Sequence, residues 1–459
     1  MITIGGGLAA IWLGWQIADG AYGLPALAAV IGLAAALVRI TRLPADVILL
    51  GLLLLGYIVG NRGFAQLIIP VMGFPLLPAE LGLAVGAGWL AVQSALARAL
   101  PVRRDFLNWI LLLWLVLGTA RVLLDVPRFG FLAIRDYAMV YYAAFFFLAQ
   151  YYAAEVRARN YLVGCIALAV TVLLPVYLLQ EQFPLFFYTV LTVRGVPLIA
   201  LKGDLAMTFL AAGAVVLFHF TSVRQRPWGW PLATALFLIA MMSNSRATLV
   251  GCVVTMGWLV LARRWLFPTI QASVAAVTLA VITMLAFSGV SRWAEARLGV
   301  QYDRLASIVD FSGTRDYGSD EILDKGDNNR FRLIWWYTVA TETWAAGPVF
   351  GLGFGYDLAK KFVRTYNPEM GDDFSARSPH SFVVTTFGRM GATGLGLVLA
   401  LVGAMAVKTW RSLRDKMADP VVVGLWCAVW IIFTSSCFGV VLEGPMGAVV
   451  FWTILGLAN

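Results

Sequence analysis

His380, one of only two histidines in the chain, stands at the start of a long apolar run in the stretch ARSPHSFVVTTFGRMGATGLG. Ser378 is a favourable helix N-cap and Pro379 suits the first helical position, so this order predicts a helix that begins at Pro379. His380 would then lie in the first turn, where the positive end of the helix dipole favours a neutral ring. A neutral imidazole can accept a proton, as a general base must.

Three arginines form the second chemical signal, because each one borders or interrupts an apolar run. They are Arg194 in TVRGVPLIALKGD, Arg246 in MMSNSRATLV and Arg330 in NNRFRLIWW. Arginine presents a planar fork of donors that stays charged, which suits a phosphate or diphosphate in a region of low dielectric. A base beside arginines that hold a phosphate leaving group describes a group-transfer site. The alternative, that these arginines reach lipid headgroups or pair with loop acids such as Asp310, stays open.

The composition indicates the kind of element that must position these groups. Of the 459 residues 61% are hydrophobic and 13% are charged, whereas soluble domains are roughly a quarter charged. Runs of about 20 apolar residues without strict alternation predict membrane-spanning helices rather than a barrel. The net charge of +9 is explained by basic loops on one side of the membrane, so we do not expect nucleic acid as a partner.

The apolar runs predict twelve to fourteen spanning helices in an all-α, polytopic membrane protein. The predicted spans are 3–18, 24–40, 45–59, 78–98, 106–124, 135–153, 158–182, 203–222, 228–242, 247–264, 269–288, 379–407, 421–438 and 440–457. The first run lacks a basic leading region and is therefore expected to be retained. Lysine and arginine cluster in alternate connections, which predicts that both termini are cytoplasmic and that His380 and the three arginines face outward.

The polar segment 289–378 is the one large extramembrane piece, and it predicts a division into 1–288, 289–378 and 379–459. An asparagine just before Arg330 could cap a helix that begins there. The i, i+3, i+4, i+7 spacing that predicts its buried face is carried by Phe331, Ile334, Trp335 and Thr338. The later stretch GPVFGLGFG lacks the lysine and hydroxyl of a nucleotide-binding loop, and we interpret it as a tight turn.

Four further cations are candidate substrate contacts, namely Arg62, Lys202, Arg332 and Arg389. Arg62 occurs in GNRGFAQL between two predicted spans. Arg389 would lie about 13 Å deeper along the helix than His380. At that depth its charge would be buried and would need an acid or a cavity beside it. The sequence has no histidine or cysteine cluster with metal-ligand spacing, and we predict neither a metal nor a cofactor.

The chain resembles the O-antigen ligase and O-antigen polymerase superfamily over roughly residues 180–405. The resemblance lies in VRG at 193–195, SNSRA at 243–247, Arg330 and a following tryptophan, GPVFGLGFG at 347–355 and PHSFVVTTFGRMGATGLG at 379–396. Members of this family are membrane glycosyltransferases of the GT-C class. Two departures concern the acceptor: Ser381 follows the histidine where asparagine is common, and Arg389 lies near a position where glutamate is common.

The resemblance implies a bacterial inner-membrane enzyme that transfers a glycan from a polyprenyl-diphosphate carrier to an acceptor on the periplasmic side, without a metal. Arg194, Arg246 and Arg330 would hold the diphosphate, and His380 would deprotonate or orient the acceptor hydroxyl, with inversion at the anomeric carbon. The acceptor could be a lipid-linked core, a growing glycan or a protein. From another class, a transporter or flippase of an anionic polyprenyl lipid could use the same arginines without chemistry.

Overall fold

A computed structural model describes residues 23–71, 74–97, 102–223, 229–241, 245–262, 320–366, 368, 374, 376–415 and 417–459. The predicted spans 3–18 and 269–288 lie outside the described residues. Up to residue 202 the elements are α1 (Gly23–Thr41), α2 (Ala45–Leu55), a π-helical turn (Gly56–Gly60), α3 (Asn61–Ala65), β1 (Ile69–Val71), β2 (Phe74–Leu76), α4 (Pro78–Ala97), α5 (Phe106–Phe129), α6 (Phe131–Asp136), α7 (Ala138–Tyr141), α8 (Ala144–Ala153), α9 (Val156–Gln182), a second π-helical turn (Phe186–Val190), β3 (Thr192–Val193) and β4 (Val196–Pro197). From residue 203 they are α10 (Gly203–Val223), α11 (Gly229–Met241), α12 (Arg246–Ala262), α13 (Asp320–Ala346), α14 (Lys360–Tyr366), α15 (Phe382–Arg414), α16 (Pro420–Ser436) and α17 (Pro445–Ala458).

Helices dominate this architecture, and the prediction of an all-α, polytopic membrane protein is confirmed. Within the described ranges, 7 helical segments are long and apolar enough to cross a membrane. Shorter apolar helices occur at Ile31–Thr41, Gly229–Ala240, Arg246–Leu261, Pro420–Ser436 and Pro445–Ala458. The strands form two small antiparallel hairpins, β1 with β2 and β3 with β4.

The chain divides into two compact units. Unit 1 consists of Met1–Pro101 and Leu148–Lys202, and unit 2 consists of Val102–Phe147 and Gly203–Asn459. In unit 1, Tyr152 donates a hydrogen bond of 2.6 Å to the Asp46 carboxylate. Arg62, Arg194 and Lys202 belong to unit 1, whereas the other predicted site residues belong to unit 2.

Unit 2 has a cluster of polar contacts at one end of its long helices. Asp105 caps α5 by accepting from the Asn108 backbone, and its carboxylate also accepts from Lys408 at 2.9 Å and from Asn459 at 3.2 Å. His380 lies at the opposite end of α15 from Lys408. Because basic connections mark the cytoplasmic side, this arrangement agrees with an outward-facing His380, although the orientation itself stays a prediction.

Helix α15 is broken at Gly391, and the glycine-rich loop 347–355 is bound to the break. Gly391 has φ 62 and ψ −153. The loop donates from Leu352 to the Gly388 carbonyl at 2.7 Å, and Ala392 donates to the Pro348 carbonyl at 2.8 Å. These bonds satisfy backbone groups that the break removes from the helix ladder, as buried irregular backbone requires. The stretch GPVFGLGFG is thus the predicted tight turn, and its Gly351, Gly353 and Gly355 have positive φ.

Replacing Gly391 with alanine is expected to destabilise the protein by about 2–3 kcal/mol, because the added Cβ overpacks the break. That Cβ would lie 2.5 Å from backbone atoms of Gly351 and Val349. Gly396 in the same helix provides the control, since a Cβ there meets no atom within 4 Å. Gly396→Ala should be neutral or slightly stabilising. Thermal unfolding in detergent would measure both, and equal midpoints would contradict the packing of the loop on the break.

The predicted starts of α13 and α17 in unit 2 are wrong. Helix α13 extends upstream to Asp320, so Arg330 lies inside it and no asparagine caps a helix there. Polar residues can continue a helix when one face is buried, and Trp335 and Thr338 of the predicted face are indeed buried. The last helix begins at Pro445 rather than 440, because Gly444 takes an extended conformation as its N-cap.

Candidate functional site

His380 precedes its helix instead of lying in the first turn. Ser381 is the N-cap of α15, its hydroxyl accepts from the Val384 backbone, and the helix begins at Phe382. The prediction that Ser378 caps the helix is therefore wrong, since Ser378 binds a carboxylate. His380 has φ 56, one of only four positive values among the described non-glycine residues. A left-handed conformation costs about 1–3 kcal/mol when it is strained, and such outliers cluster at functional sites.

Contacts on both sides hold the backbone around His380. Trp336 on α13 donates from its indole nitrogen to the Pro379 carbonyl at 2.6 Å. Ser378 donates a short hydrogen bond to one oxygen of Glu443, and Thr385 donates to the other oxygen at 2.8 Å. The histidine segment is therefore fixed between α13 and the connection that carries Glu443. This fixation can compensate the cost of the left-handed backbone.

An aromatic cluster supports the His380 ring from α13 and α14. The His380 and Trp335 ring centroids are 5.9 Å apart, and Trp335 stacks on Phe362 at 5.3 Å. Trp335 is 1% exposed and donates to the Leu358 carbonyl. The half-buried histidine thus rests against a rigid apolar wall, which limits the orientations of the imidazole.

Arg330 and Arg332 lie on the same helix, α13, but in different environments. Arg330 is exposed, whereas Arg332 is half-buried and donates to the Phe438 carbonyl at 2.8 Å. Burial lowers the pKa of Arg332, and the charge of Asp204 opposes that effect. Phe438 also contacts Trp336, with ring centroids 6.3 Å apart. The connection between α16 and α17 therefore contacts both Arg332 and, through Glu443, the histidine segment.

Arg246 is the first residue of α12 and is half-buried. A cation at a helix N-terminus is opposed by the helix dipole, so helix stability does not explain it. Ser245 immediately precedes it and is hydrogen-bonded to Thr248 at 2.7 Å. Thr208 joins Thr248 to Ser435 through hydroxyl bonds of 2.9 Å each. This buried hydroxyl network links three helices beneath Arg246 and fixes its backbone.

Arg389 is buried, and an acid does reach it. Its exposure is 3%, and its guanidinium lies 2.7 Å from a carboxylate oxygen of Asp136. It also donates to the Tyr356 carbonyl at 3.4 Å. As a substrate contact Arg389 stays a prediction. The observed geometry makes it a positioning residue that joins α15 to α6 and to the glycine-rich loop.

Two aspartates bind the backbone of the glycine-rich loop, Asp125 from a buried position and Asp136 from a half-buried one. Asp125 accepts from Phe354 at 2.7 Å and pairs with Arg121 at 3.1 Å. Asp136 accepts from Gly355 at 3.1 Å. A Cβ on Gly353 would lie 2.6 Å from the Asp125 carboxylate, so only glycine allows this approach. The loop N–H groups thus bind the protein's own carboxylates.

Arg194 lies at the tip of the second hairpin in unit 1. It is exposed, and both Arg194 and Gly195 have positive φ, 52 and 76. Strands β3 and β4 pair Val193 with Val196, so these two residues form the connection. Positive φ at both central residues is the two-residue turn that matches the strand twist. The hairpin holds the Arg194 side chain on a defined backbone at the surface of unit 1.

Asn61 brings the backbones of Arg62 and Lys202 together in unit 1. It is buried with φ 52, and its side-chain oxygen accepts from Arg62 at 3.0 Å and from Lys202 at 3.1 Å. A Cβ on Gly63 would lie 2.5 Å from the Pro197 carbonyl. The stretch GNRGFAQL is therefore packed on the segment that follows the Arg194 hairpin. The backbones of Arg62 and Lys202 are therefore neighbours in unit 1.

The sequence predictions missed Glu443, Asp136 and Asn61. Glu443 is an isolated acid just before Gly444 and Pro445, and that dipeptide could have revealed a connection instead of a continuous apolar run. Asp136 and Asn61 carry no such local signal. Within the described parts of the chain, no group of three His, Cys, Asp or Glu side chains could hold a metal ion.

Part of unit 2 matches a known protein family. Residues 231–399 match the family model described as O-antigen ligase. The match includes Arg246, Arg330, Arg332, His380 and Arg389. No curated protein shows significant similarity to the chain. Residues 231–399 are therefore similar to the O-antigen ligase family, and the predicted resemblance to the O-antigen ligase and O-antigen polymerase superfamily is confirmed for these residues.

Proposed function

We propose that this protein transfers a glycan from a polyprenyl-diphosphate carrier to an acceptor hydroxyl at the periplasmic face of the bacterial inner membrane. The observation that carries the proposal is His380, half-buried and held in a left-handed backbone conformation within the residues that match the O-antigen ligase family. A histidine fixed by a carboxylate-bound segment and an aromatic wall suits a group whose task is proton transfer.

In this reaction the acceptor oxygen attacks the anomeric carbon of the donor glycan. His380 takes the hydroxyl proton as the new C–O bond forms, and the bond from the anomeric carbon to the diphosphate oxygen breaks. The electron pair leaves with the polyprenyl diphosphate. Attack from the face opposite the leaving group gives inversion. Glu443 would act as a positioning residue, since it holds Ser378 and Thr385 beside the histidine.

Arg194, Arg246 and Arg330 are proposed to bind the donor diphosphate, whose negative charge increases as the bond to the sugar breaks. Arg246 is the best supported of them, because it is half-buried at the start of α12, whereas Arg194 and Arg330 are exposed. Arg62 and Lys202, which Asn61 brings together, are proposed as further contacts with the donor.

Arg246→Ala is expected to lower kcat/KM for the donor by about 10- to 100-fold, because charge-assisted hydrogen bonds contribute about 1.5–3 kcal/mol each. Arg246→Lys should lose less than alanine, since it keeps the charge but not the planar fork. Arg411 is exposed in the last turn of α15 and provides the control. Initial rates across a donor titration would measure these effects. Equal losses for alanine and lysine would contradict bidentate binding.

The function is tested by incubating purified protein with a polyprenyl-diphosphate glycan and separate acceptors: a lipid-linked core, a second donor molecule and a peptide. A glycosylated core identifies ligation, longer lipid-linked glycans identify polymerisation, and a glycosylated peptide identifies protein transfer. Donor that crosses a vesicle membrane with its diphosphate bond intact would identify a transporter and contradict the proposal.

A further inference from the structure

A cleft of about 450 Å³ lies in unit 2 between α13, α14 and the end of the glycine-rich loop. Its lining residues are Glu342, Tyr356, Lys360, Lys361, Arg364 and Thr365. None of these was a predicted site residue. The cleft combines three cations with one carboxylate and two hydroxyl groups, so both charge and hydrogen-bonding capacity are concentrated in a small volume.

The three cations of the cleft all lie on helix α14. Lys360, Lys361 and Arg364 are exposed, and within the described ranges none of them has an ion-pair partner. Lys360 and Arg364 are four residues apart on one helix face, so their Cβ atoms are roughly 6 Å apart. Cations at this spacing repel each other and gain from an anion that lies between them.

The opposite wall of the cleft is formed by a tyrosine that is hydrogen-bonded to a carboxylate. Tyr356 donates to the Glu342 carboxylate at 2.6 Å, which fixes both side chains. Burial, with that hydrogen bond, raises the pKa of Tyr356 to about 12, so the phenol keeps its proton. Glu342 and the hydroxyls of Tyr356 and Thr365 can accept hydrogen bonds. A ligand that fits this cleft therefore carries an anionic group on one side and hydroxyl groups on the other, as an acidic sugar does.

The cleft is connected to the His380 segment by direct packing. Helix α14 places its cations in the cleft, while its buried Phe362 stacks on Trp335, whose ring contacts His380. The backbone of the cleft wall is bound as well, because Arg377 donates to the Gly355 carbonyl at 2.6 Å. Arg377 is separated from His380 only by Ser378 and Pro379. A glycan held in the cleft is thus anchored on the element that supports the histidine.

We infer that this cleft binds an acidic sugar residue, one that carries a carboxylate or a phosphate, in a glycan that the enzyme uses. The inference rests on the proposed function for the identity of the glycan, but the binding itself needs no turnover. The carboxylate or phosphate would lie between Lys360, Lys361 and Arg364. The sugar hydroxyls would face Glu342 and Tyr356.

The test is isothermal titration of the protein, held in nanodiscs of a zwitterionic lipid, with a glucuronate-containing hyaluronan tetrasaccharide and with neutral chitotetraose. We expect the acidic saccharide to bind at least about 10-fold more tightly at low salt, and higher salt should reduce the difference. The triple variant Lys360→Gln, Lys361→Gln and Arg364→Gln should lose that preference. The double variant Arg411→Gln and Arg414→Gln, at the far end of α15, should keep it.

Two outcomes would overturn the inference. Equal binding of acidic and neutral saccharides by the unaltered protein would show that the cations do not select an anion. A triple variant that keeps the preference for the acidic saccharide would assign the anion site elsewhere. If that variant instead loses only its affinity for phosphatidylglycerol nanodiscs, the three cations bind lipid headgroups. Unchanged thermal unfolding of the triple variant would establish that it folds. If that same variant still transfers a neutral glycan, the proposed function is supported even when this inference about the cleft fails.

Discussion

His380→Asn is expected to reduce glycan transfer by about 10²- to 10⁴-fold, which is the usual contribution of a general base. Asparagine is chosen because it tolerates the left-handed conformation that His380 adopts, so the backbone should be retained while the imidazole is lost. The thermal unfolding midpoint should change little. Transfer rates at saturating donor and acceptor would measure the effect on kcat.

His380→Ala provides the comparison for this variant. Alanine also removes the imidazole, but it fits a positive φ poorly, so it should lose the same activity and some additional stability. Donor binding should survive in both variants, because the proposed diphosphate contacts are arginines. If the asparagine variant transferred glycan at the unaltered rate, His380 would be excluded as the base.

Asp136→Ala is expected to destabilise the protein by about 3–5 kcal/mol, because it leaves the buried Arg389 charge without its partner. It also removes the acceptor of the Gly355 N–H group. The glycine-rich loop and the break in α15 should therefore loosen together. Thermal unfolding and proteolysis of the 347–355 loop would measure the change.

Arg135→Ala is the matched control, since Arg135 pairs with the same Asp136 carboxylate at 3.3 Å but is 51% exposed. Exposed pairs contribute about 0–1 kcal/mol, so this variant should unfold close to the unaltered protein. The double variant Asp136→Ala with Arg389→Met should recover part of the stability lost in the single variant, because no buried charge remains. A single variant no less stable than Arg135→Ala would contradict the positioning role of the pair.

The sequence predicted the elements that follow directly from hydrophobicity. Helices such as α9 and α10 agree with the predicted spans to within a few residues, since apolar length decides where a helix can cross a membrane. The buried face of α13 followed from its helical spacing. The start of α15 did not, because Ser378 and Ser381 are both competent caps and only tertiary contacts decide between them. Ser378 donates its hydroxyl hydrogen bond to Glu443 instead of capping the helix.

The supporting residues of the site could not be predicted for a related reason. Asp136 contacts Arg389 and Gly355, and Glu443 contacts Ser378 and Thr385, across long sequence separations. Such contacts depend on how the helices pack, so they leave no pattern in the local sequence. Likewise nothing in the sequence distinguishes Asn61 from other polar residues, because its hydrogen bond to the Lys202 backbone forms only in the folded protein. The candidate histidine and arginines were found because their chemistry is unusual in apolar sequence.

Inverting transfer with His380 as the base is tested most directly by a single-turnover reaction of the purified protein with an α-linked polyprenyl-diphosphate glycan and its acceptor, without ATP and with a chelator of divalent metals. We expect a β-linked product by nuclear magnetic resonance and one polyprenyl diphosphate released for each bond formed. His380→Asn should yield neither product at a comparable rate. An α-linked product, or product formation that is unchanged in the variant, would contradict inverting transfer with His380 as the base.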